Sequence, residues 1–409
     1  MIKRFDLYLN TQTTGLIKAA EVALLEEQQR LQQVGFRYTQ DYLALPHAFA
    51  LDPAQLPLSA REFNLTCQGS APAVLDDYLP DDWGKKVLGK IALTQQLRLN
   101  THCISDLLSF LQQAHSRIGA LSIVEQGKQP SFLGGIELSK LQEAELSAQQ
   151  IDQNNFAELD ANTLGLIFLA NSGSGVGGAR PKTLLQDNGH YYLAKFNRHN
   201  DPYNNARVEL ACLNMARAAG IQIGQGKITT VNQREVLLLE RFDIQENGRT
   251  HLITANGLLK SPANQLDPGQ SFRYNDLHLL LQKYSADIEQ DLHQLTRLML
   301  FNSAINNTDD HERNFSFMHD DEGYRLAPAY DLVPSLGAGE YHAAGFNYQP
   351  YPPRISELSK LGSLFGLPKG IVSEIGEQVA QAIQSWACFA EQAKVTESET
   401  EKIARIFQL

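Results

Sequence analysis

The 409-residue sequence contains little cysteine, no excess of basic residues and no clustered thiols. Its four cysteines, Cys67, Cys103, Cys212 and Cys388, are scattered and form no CxxC pair. This spacing indicates neither a disulfide framework nor a zinc site and is typical of small buried residues in a reducing compartment. The formal net charge of −11 argues against a broad basic surface that would bind nucleic acid directly.

Long apolar runs are also missing, both at the N-terminus and along the chain. The opening residues MIKRFDLYLN are typical of a strand and lack the apolar core of a signal peptide. No apolar run reaches membrane-spanning length, so we expect a soluble, cytoplasmic protein with no membrane contact. The length, with 43% apolar residues, predicts two or three packed subdomains.

The pattern of elements changes along the chain. The first hundred or so residues mix short strand and helix signals, and FRYTQDYLA (36–44) is rich enough in aromatics to predict a strand. From about Gly165, apolar segments alternate with glycine and turn signals, and after about residue 275 the chain is mainly helical. A β-rich part followed by a helical part predicts two lobes with a cleft between them.

A glycine-rich segment, SGSGVGG (172–178), contains the pattern G-x-G-x-x-G. The pattern alone is compatible with a dinucleotide fold, a kinase-type loop or a plain turn. A dinucleotide fold requires a helix directly after the glycines. Here the strong hairpin signal Asn188-Gly189 lies between TLL and YYLAKF, so the loop is expected to lead into a β-hairpin whose second strand carries Lys195.

The helix-forming segment ARVELACLNMARAAGI (206–221) follows and carries Glu209 near its start. A glycine loop, a strand lysine and a helix glutamate occur in this order in protein kinases. Glycines let the backbone lie close to phosphates, the lysine neutralises phosphate charge, and the glutamate can hold the lysine. Two alternatives remain open: Lys195 as a surface lysine whose stem covers apolar residues, and Glu209 as a solvated residue favoured by the helix dipole.

Candidate catalytic and metal-binding residues are concentrated in the segment NNTDDHERNFSFMHDDEGYRLAPAYDLVPS (306–335). Asp309 follows an apolar helix, Asn314 comes five residues later, and Asp331 follows a predicted hairpin made of FSFM and YRLAP. Phosphoryl transfer needs one carboxylate to orient the acceptor hydroxyl and take its proton, here Asp309. It also needs oxygen ligands for magnesium, here Asn314 and Asp331, and the hairpin brings these two to the same end of the cleft.

Two neighbouring residues have open interpretations. Asp310 could cap the loop, and His311 could contact the nucleotide or be a structural histidine. A metal hydrolase built on Asp309, Asp310 and His311 is a weaker alternative, because the chain offers no second His/Asp cluster at ligand spacing.

Several segments together resemble one known family. NTDDHERNFSF and LAPAYDLVPS are similar to the signature of the HipA-like kinases, the toxins of bacterial type II toxin–antitoxin pairs. GGARPKTLL, YLAKF, ARVELACLNMARAAGI and LLLERFD resemble the other blocks of that family in the same order. YLPDDWG and FRYTQDYLA resemble its N-terminal subdomain, so the resemblance covers nearly the whole chain.

The resemblance implies an α+β, bilobal protein-kinase-like fold with an added N-terminal β-rich subdomain and a helical C-terminal lobe. The expected parts are a HipA-type N-terminal subdomain at 1–125, a β-rich part with the glycine loop at 126–245, and a helical lobe at 246–409. It implies a serine/threonine protein kinase that uses ATP and Mg²⁺. It also implies a helix-turn-helix antitoxin as partner, through which alone DNA would be contacted. An aminoacyl-tRNA synthetase is the implied protein substrate, and its phosphorylation would arrest translation.

The resemblance also implies roles for individual residues. Asp309 would be the catalytic base, Asn314 and Asp331 the metal ligands, and Lys195 the lysine that binds ATP. The other residues expected at the nucleotide are Gly175, Val176, Gly177, Gly178, Glu240, Phe242, Asp243 and His311.

Two positions depart from the family pattern. Many relatives carry a regulated serine where this chain has Gly175, which leaves the nearby Ser172 and Ser174 as candidates for autophosphorylation. Many also carry lysine where this chain has Arg313, a change that keeps the charge and alters its geometry.

Two other classes of function remain open. One is a catalytically silent homologue that acts only by binding its antitoxin. The other is a small-molecule phosphotransferase on the same fold, because the motifs do not distinguish an alcohol on a protein from one on a metabolite.

Overall fold

The computed structural model describes residues 2–408 apart from 68–70, 95, 97, 113–117, 133–134, 154–179, 265, 268–269 and 337–340. The first part of the chain forms a five-stranded antiparallel sheet in the order β4-β3-β2-β1-β5. Its strands are β1 (Ile2–Thr11), β2 (Gly15–Glu27), β3 (Arg30–Tyr38), β4 (Phe63–Thr66) and β5 (Leu121–Glu125). Its helices are α1 (Gln40–Leu43), α2 (Ala73–Asp76), α3 (Asp82–Thr94) and α4 (Ile104–Leu111).

The expectation of one strand over 36–44 is wrong. Strand β3 ends at Tyr38, and α1 begins two residues later. The reason is local, because the Thr39 hydroxyl accepts a hydrogen bond from the Tyr42 backbone N–H and caps the helix. Tyr38 and Tyr42 then stack with ring centroids 5.7 Å apart in the core.

A second sheet follows, in the order β6-β7-β8-β10-β9. Its strands are β6 (Ile136–Glu137), β7 (Lys182–Asp187), β8 (His190–Phe196), β9 (Gly226–Val231) and β10 (Arg234–Glu240), with α5 (Leu141–Asp152) and α6 (Asn205–Ala218) beside them. The predicted hairpin at Asn188-Gly189 is confirmed. Both turn residues have positive φ, 48° and 82°, which is the backbone conformation that a two-residue hairpin loop requires.

The rest of the chain is mainly helical. Its strands are β11 (Ile244–Gln245), β12 (Gly248–Arg249), β13 (His251–Thr254), β14 (Ser316–His319) and β15 (Tyr324–Leu326). Its helices are α7 (Ala255–Leu258), α8 (Tyr274–Tyr284), α9 (Ile288–Ala304), α10 (Leu358–Leu361), α11 (Lys369–Gln384), α12 (Trp386–Gln392) and α13 (Glu397–Ala404). The expected hairpin between Asn314 and Asp331 is present as β14 and β15.

Two apolar cores hold these parts. One joins the two five-stranded sheets, and the other joins α6 to the helices of the C-terminal part. Helix α9 fills the second core with Leu292, Leu295 and Met299 at helical spacing, so the loop that follows it starts from a fixed point. The α+β fold class is confirmed. Among the described residues, every helix is too short or too polar to cross a membrane.

Candidate active site

A cavity of about 330 Å³ lies between the second sheet and the helical part. Its walls come from β7, β8, α6 and the two loops that flank the β14–β15 hairpin. The polar residues that line it include Arg180, Lys182, Lys195, Glu209, Asn307, Asp309, His311, Asn314 and Asp331. The cleft thus brings Lys195 together with Asp309, His311, Asn314 and Asp331, which lie more than a hundred positions later in the sequence.

Lys195 is the centre of a buried charge cluster. Its side chain points from β8 into the cleft, and the residue is 8% exposed. Its Nζ atom lies 2.6 Å from Oε1 of Glu209 on α6 and also pairs with the Asp331 carboxylate. Burial favours the neutral amine, but the two carboxylates outweigh burial and raise the pKa of Lys195. Lys195 is therefore a charged residue of the cleft wall, and Glu209 is buried and not solvated.

The Asn314 side chain is held by a hydrogen bond from one of its two polar atoms. Its Nδ2 donates a 2.7 Å hydrogen bond to the backbone carbonyl of Asp309, which fixes the amide across the loop. Within the described part of the chain, its buried Oδ1 has no hydrogen-bond partner. A buried acceptor that lacks a partner costs free energy unless a ligand occupies it, so this oxygen is suited to a cation.

Asp331 stands opposite and is held in an unusual backbone conformation. Its φ of 56° is uncommon for a residue other than glycine, and the Asn307 amide donates to its backbone carbonyl at 3.2 Å. Burial disfavours its charge, but Lys195 outweighs burial and lowers the pKa of Asp331. The carboxylate is thus ionised and faces the same cavity as Asn314.

These two residues fit a magnesium ion. Mg²⁺ prefers oxygen ligands and uses one or two protein carboxylates together with waters and substrate phosphates. Among the described residues, no group of three or more His, Cys, Asp and Glu side chains is arranged to hold a metal ion. The metal-hydrolase alternative for Asp309, Asp310 and His311 therefore has no ligand cluster in the described chain.

Asp309 and Asp310 are neighbours with different surroundings. Asp309 faces the cavity, where partial desolvation and the Asp331 and Asp310 carboxylates raise its pKa against the opposing effect of His311. Asp310 points the other way and is 1% exposed. It accepts hydrogen bonds from the Tyr274 hydroxyl at 2.8 Å and the Ala344 backbone N–H at 3.0 Å.

His311 lines the cavity and also caps the short turn at Glu312–Asn314. Its Nδ1 accepts a hydrogen bond from the Arg313 backbone N–H at 3.2 Å. The loop-capping function that sequence reasoning considered for Asp310 therefore falls to His311.

A smaller, mostly apolar cavity of about 50 Å³ lies beside the main one and shares Leu193 with it. Glu240, Phe242 and Asp243, which the resemblance implies to be at the nucleotide, line it. Asp243 already has partners: its carboxylate pairs with Arg241 at 2.7 Å and accepts from the Gly119 N–H at 2.6 Å. In this arrangement Asp243 ties the segment to the N-terminal part.

The predictions for Ser172, Ser174, Gly175, Val176, Gly177 and Gly178 lie outside the described residues. Sequence reasoning missed several cleft residues, among them Lys182 and Arg180. Lys182 lies directly opposite Lys195 in the β7–β8 hairpin, and Arg180 pairs with Asp201 at 2.8 Å. The register of a two-residue hairpin loop fixes the Lys182–Lys195 pairing, so the signal for Lys182 was present in the sequence.

The described residues form an α+β protein with a polar cleft between the second sheet and the helical part. Family models match in two places: the HipA N-terminal domain over residues 16–124 and the HipA-like C-terminal domain over residues 174–387. The second match alone covers more than half of the chain, and the protein therefore belongs to the HipA-like family.

One solved structure and one curated relative extend this result. HipA from Shewanella oneidensis MR-1, solved with HipB and operator DNA, superposes with a TM-score of 0.65 and 17% identity over 98% of this chain and 94% of that chain. At that identity the likeness shows the fold alone. The "Putative kinase Y4mE" of Sinorhizobium fredii is 29% identical over 136 residues. That match spans 31% of this chain and about a third (32%) of the relative.

Proposed function

We propose that the protein is an ATP- and magnesium-dependent serine/threonine protein kinase and the toxin of a bacterial type II toxin–antitoxin pair. The observation that carries the proposal is the opposed geometry of the cleft. Glu209 holds Lys195, which also pairs with the ionised Asp331, and Asn314 presents a buried oxygen that has no hydrogen-bond partner among the described residues. This arrangement suits a polyphosphate and its cation.

The cleft side chains have different functions in phosphoryl transfer. Lys195 binds and neutralises phosphate oxygens, while Glu209 keeps its ammonium in place. Asn314 and Asp331 would hold Mg²⁺, which supplies electrostatic stabilisation of the phosphates when bound. Asp309 orients the acceptor hydroxyl and accepts its proton, and its raised pKa makes its carboxylate a stronger base than that of an ordinary aspartate.

The biological setting is part of the proposal. Membership of the family and the resemblance of the motifs favour a helix-turn-helix antitoxin as partner, with DNA contacted only through that antitoxin. They also favour growth arrest by phosphorylation of a translation component such as an aminoacyl-tRNA synthetase. We further propose residues 1–125, 126–245 and 246–409 as the functional parts, and Ser172 or Ser174 as sites of autophosphorylation.

The decisive experiment incubates the purified protein with labelled ATP, Mg²⁺ and host lysate and identifies labelled proteins by mass spectrometry. We expect label on serine or threonine of few proteins, and none with the Asp309→Asn variant. ATP consumption that appears only when a small-molecule extract is added would instead indicate a metabolite phosphotransferase. No ATP-dependent transfer under any condition would refute the kinase.

Magnesium is tested separately by calorimetry with ATP. Binding is expected to be weak without the cation, because Asp331 and Asp309 place two carboxylates beside the polyphosphate. Equal affinity with and without Mg²⁺ would overturn the assignment of Asn314 and Asp331 as ligands.

A further inference from the structure

A short segment of the N-terminal part reaches both walls of the cleft. Residues 76–81 run from the last residue of α2 to the start of α3. Their three aspartates, Asp76, Asp77 and Asp81, all contact later parts of the chain. These carboxylates therefore connect elements that are distant from one another in the sequence.

Asp76 contacts the catalytic loop. Its Oδ2 lies 2.8 Å from Nη2 of Arg313, the residue immediately before the proposed metal ligand Asn314. The same oxygen lies 3.0 Å from Nζ of Lys260 and accepts from the Asn256 amide at 3.1 Å. Only 21% of the Asp76 side chain is exposed, so this pairing is partly shielded from solvent and from salt.

Arg313 is held from its other side as well. The Tyr330 hydroxyl donates to the backbone carbonyl of Arg313 at 3.0 Å, and Tyr330 immediately precedes Asp331. Arg313 therefore connects the Asn314 loop to the segment after β15 that carries Asp331 and, through Asp76, to the N-terminal part. Removing one of these contacts frees the loop to shift relative to Asp331.

Two further contacts fix the segment itself. Asp77 accepts hydrogen bonds from the backbone N–H and the hydroxyl of Thr254, both at 2.7 Å. A Cβ atom on Gly257 would lie 2.8 Å from Cβ of Ala73, so α2 approaches α7 more closely than any other residue type at 257 permits. The approach is thus built into the fold independently of the ion pairs.

The segment reaches the opposite wall through Asp81. Its Oδ2 lies 2.5 Å from Nζ of Lys182, which lines the cleft beside Lys195. Its Oδ1 accepts from the Gly84 backbone N–H at 2.7 Å, at the start of α3. One segment of six residues thus contacts Lys182, which lines the cleft, and Arg313, which lies next to the cleft residue Asn314.

We infer that residues 76–81 are a positioning element of the catalytic centre, in which Asp76 holds the Asn314 loop through Arg313 and Asp81 holds Lys182. The inference rests on the proposed phosphoryl transfer. According to this inference, the added N-terminal part supports catalysis by setting the distance between the two walls of the cleft. Asp76 is then a positioning residue.

The test compares Asp76→Asn with a matched control, Asp41→Asn, which neutralises an exposed carboxylate of the same subdomain. For magnesium-dependent ATP turnover per folded molecule, Asp76→Asn is expected to lower kcat by about 10- to 100-fold, with KM for ATP changed less than about threefold. The control should match the unmodified protein. In the background of Arg313→Gln, Asp76→Asn should add little, because the two residues act as one unit.

Hydrogen exchange provides a readout that does not depend on activity. Amides of residues 309–316 should exchange faster in Asp76→Asn, while those of α9 and of β1–β3 stay unchanged. Unaltered exchange in this loop, or an effect of equal size from the control, would overturn the positioning element. If the unmodified protein consumes no ATP, the proposed kinase fails, and the exchange comparison still decides whether the segment holds the loop.

Discussion

The cleft wall and the layer directly behind it use the same residue types in opposite ways. In the wall, Asn314 keeps a buried oxygen without a hydrogen-bond partner among the described residues, and Asp309 and Asp331 face a cavity. Behind it, Asp310 is saturated by Tyr274 and by neighbouring donors and makes no contact with the cavity.

The difference separates groups that bind a ligand from groups that hold the fold. A polar atom buried with full hydrogen bonding stabilises one structure and has no capacity left for a ligand. One that faces a cavity with a lone pair unused is available for chemistry at a cost in stability. Asp309 and Asp310 are adjacent in sequence, so the same isosteric substitution at each tests this distinction most directly.

The largest expected effect is that of Asp309→Asn. It retains the shape of the side chain and removes the proton acceptor, so phosphoryl transfer should fall by about a hundred- to ten-thousand-fold. The thermal midpoint and the affinity for ATP with magnesium should stay close to those of the unmodified protein. Melting and specific activity are measured on one sample, and turnover that is retained per folded molecule would make Asp309 a structural residue.

Lys195→Met should lower both the stability of the protein and its affinity for ATP, because Lys195 is buried and paired with two carboxylates. Removal of one partner from a buried ion pair costs about 3–5 kcal/mol of unfolding free energy, and ATP affinity should fall as well. The double variant Lys195→Met/Glu209→Gln should regain part of the stability and none of the affinity. Urea unfolding measures the stability and ATP titration the affinity. If Lys195→Met has normal stability and normal affinity, Lys195 is not the centre of a buried charge cluster.

Asp52, a buried carboxylate of the N-terminal part, tests the effect of burial through pH. The residue is fully buried, and burial raises its pKa to about 7 despite hydrogen bonds from the Gln55 and Ala54 N–H groups. Because the folded state keeps the proton longer than the unfolded state, Asp52 should lower the unfolding free energy as pH rises from about 4 to 7. Relative to the unmodified protein, Asp52→Asn should therefore gain about 3 kcal/mol between pH 5 and pH 8. Urea unfolding at both pH values checks this, and a difference independent of pH would refute it.

The smallest effect is expected from Asp310→Asn. The amide can still accept from Ala344 but loses charge-assisted bonds, which should cost about 1–2 kcal/mol of unfolding free energy. Turnover per folded molecule should remain within a few-fold of normal. Denaturant unfolding with activity measured at the same protein concentration is the test, and a rate loss as large as that of Asp309→Asn would remove the contrast between the two aspartates.

Local patterns in the sequence were sufficient for much of the cleft. The Asn188-Gly189 signal predicted the hairpin that presents Lys195, and the spacing from Asp309 to Asn314 with a hairpin before Asp331 predicted which residues meet. These features depend on turn chemistry and on residues within about 25 positions of one another, where backbone preferences dominate. The strand predicted through Thr39 failed for the same reason, because a single capping hydroxyl outweighed aromatic strand propensity.

What the sequence determined by itself was the order of the elements, the family pattern and the identity of the chemistry-bearing residues. What only the tertiary structure decided was which of two adjacent aspartates faces the cavity, that Glu209 is buried on Lys195, and that Asp76 reaches Arg313 across 237 positions of chain. Such contacts arise from the packing of elements on two cores, and no local propensity encodes the side on which a loop residue will lie. The direction of a side chain in the loop after a helix is fixed by the residues that pack around it, and these come from distant parts of the sequence.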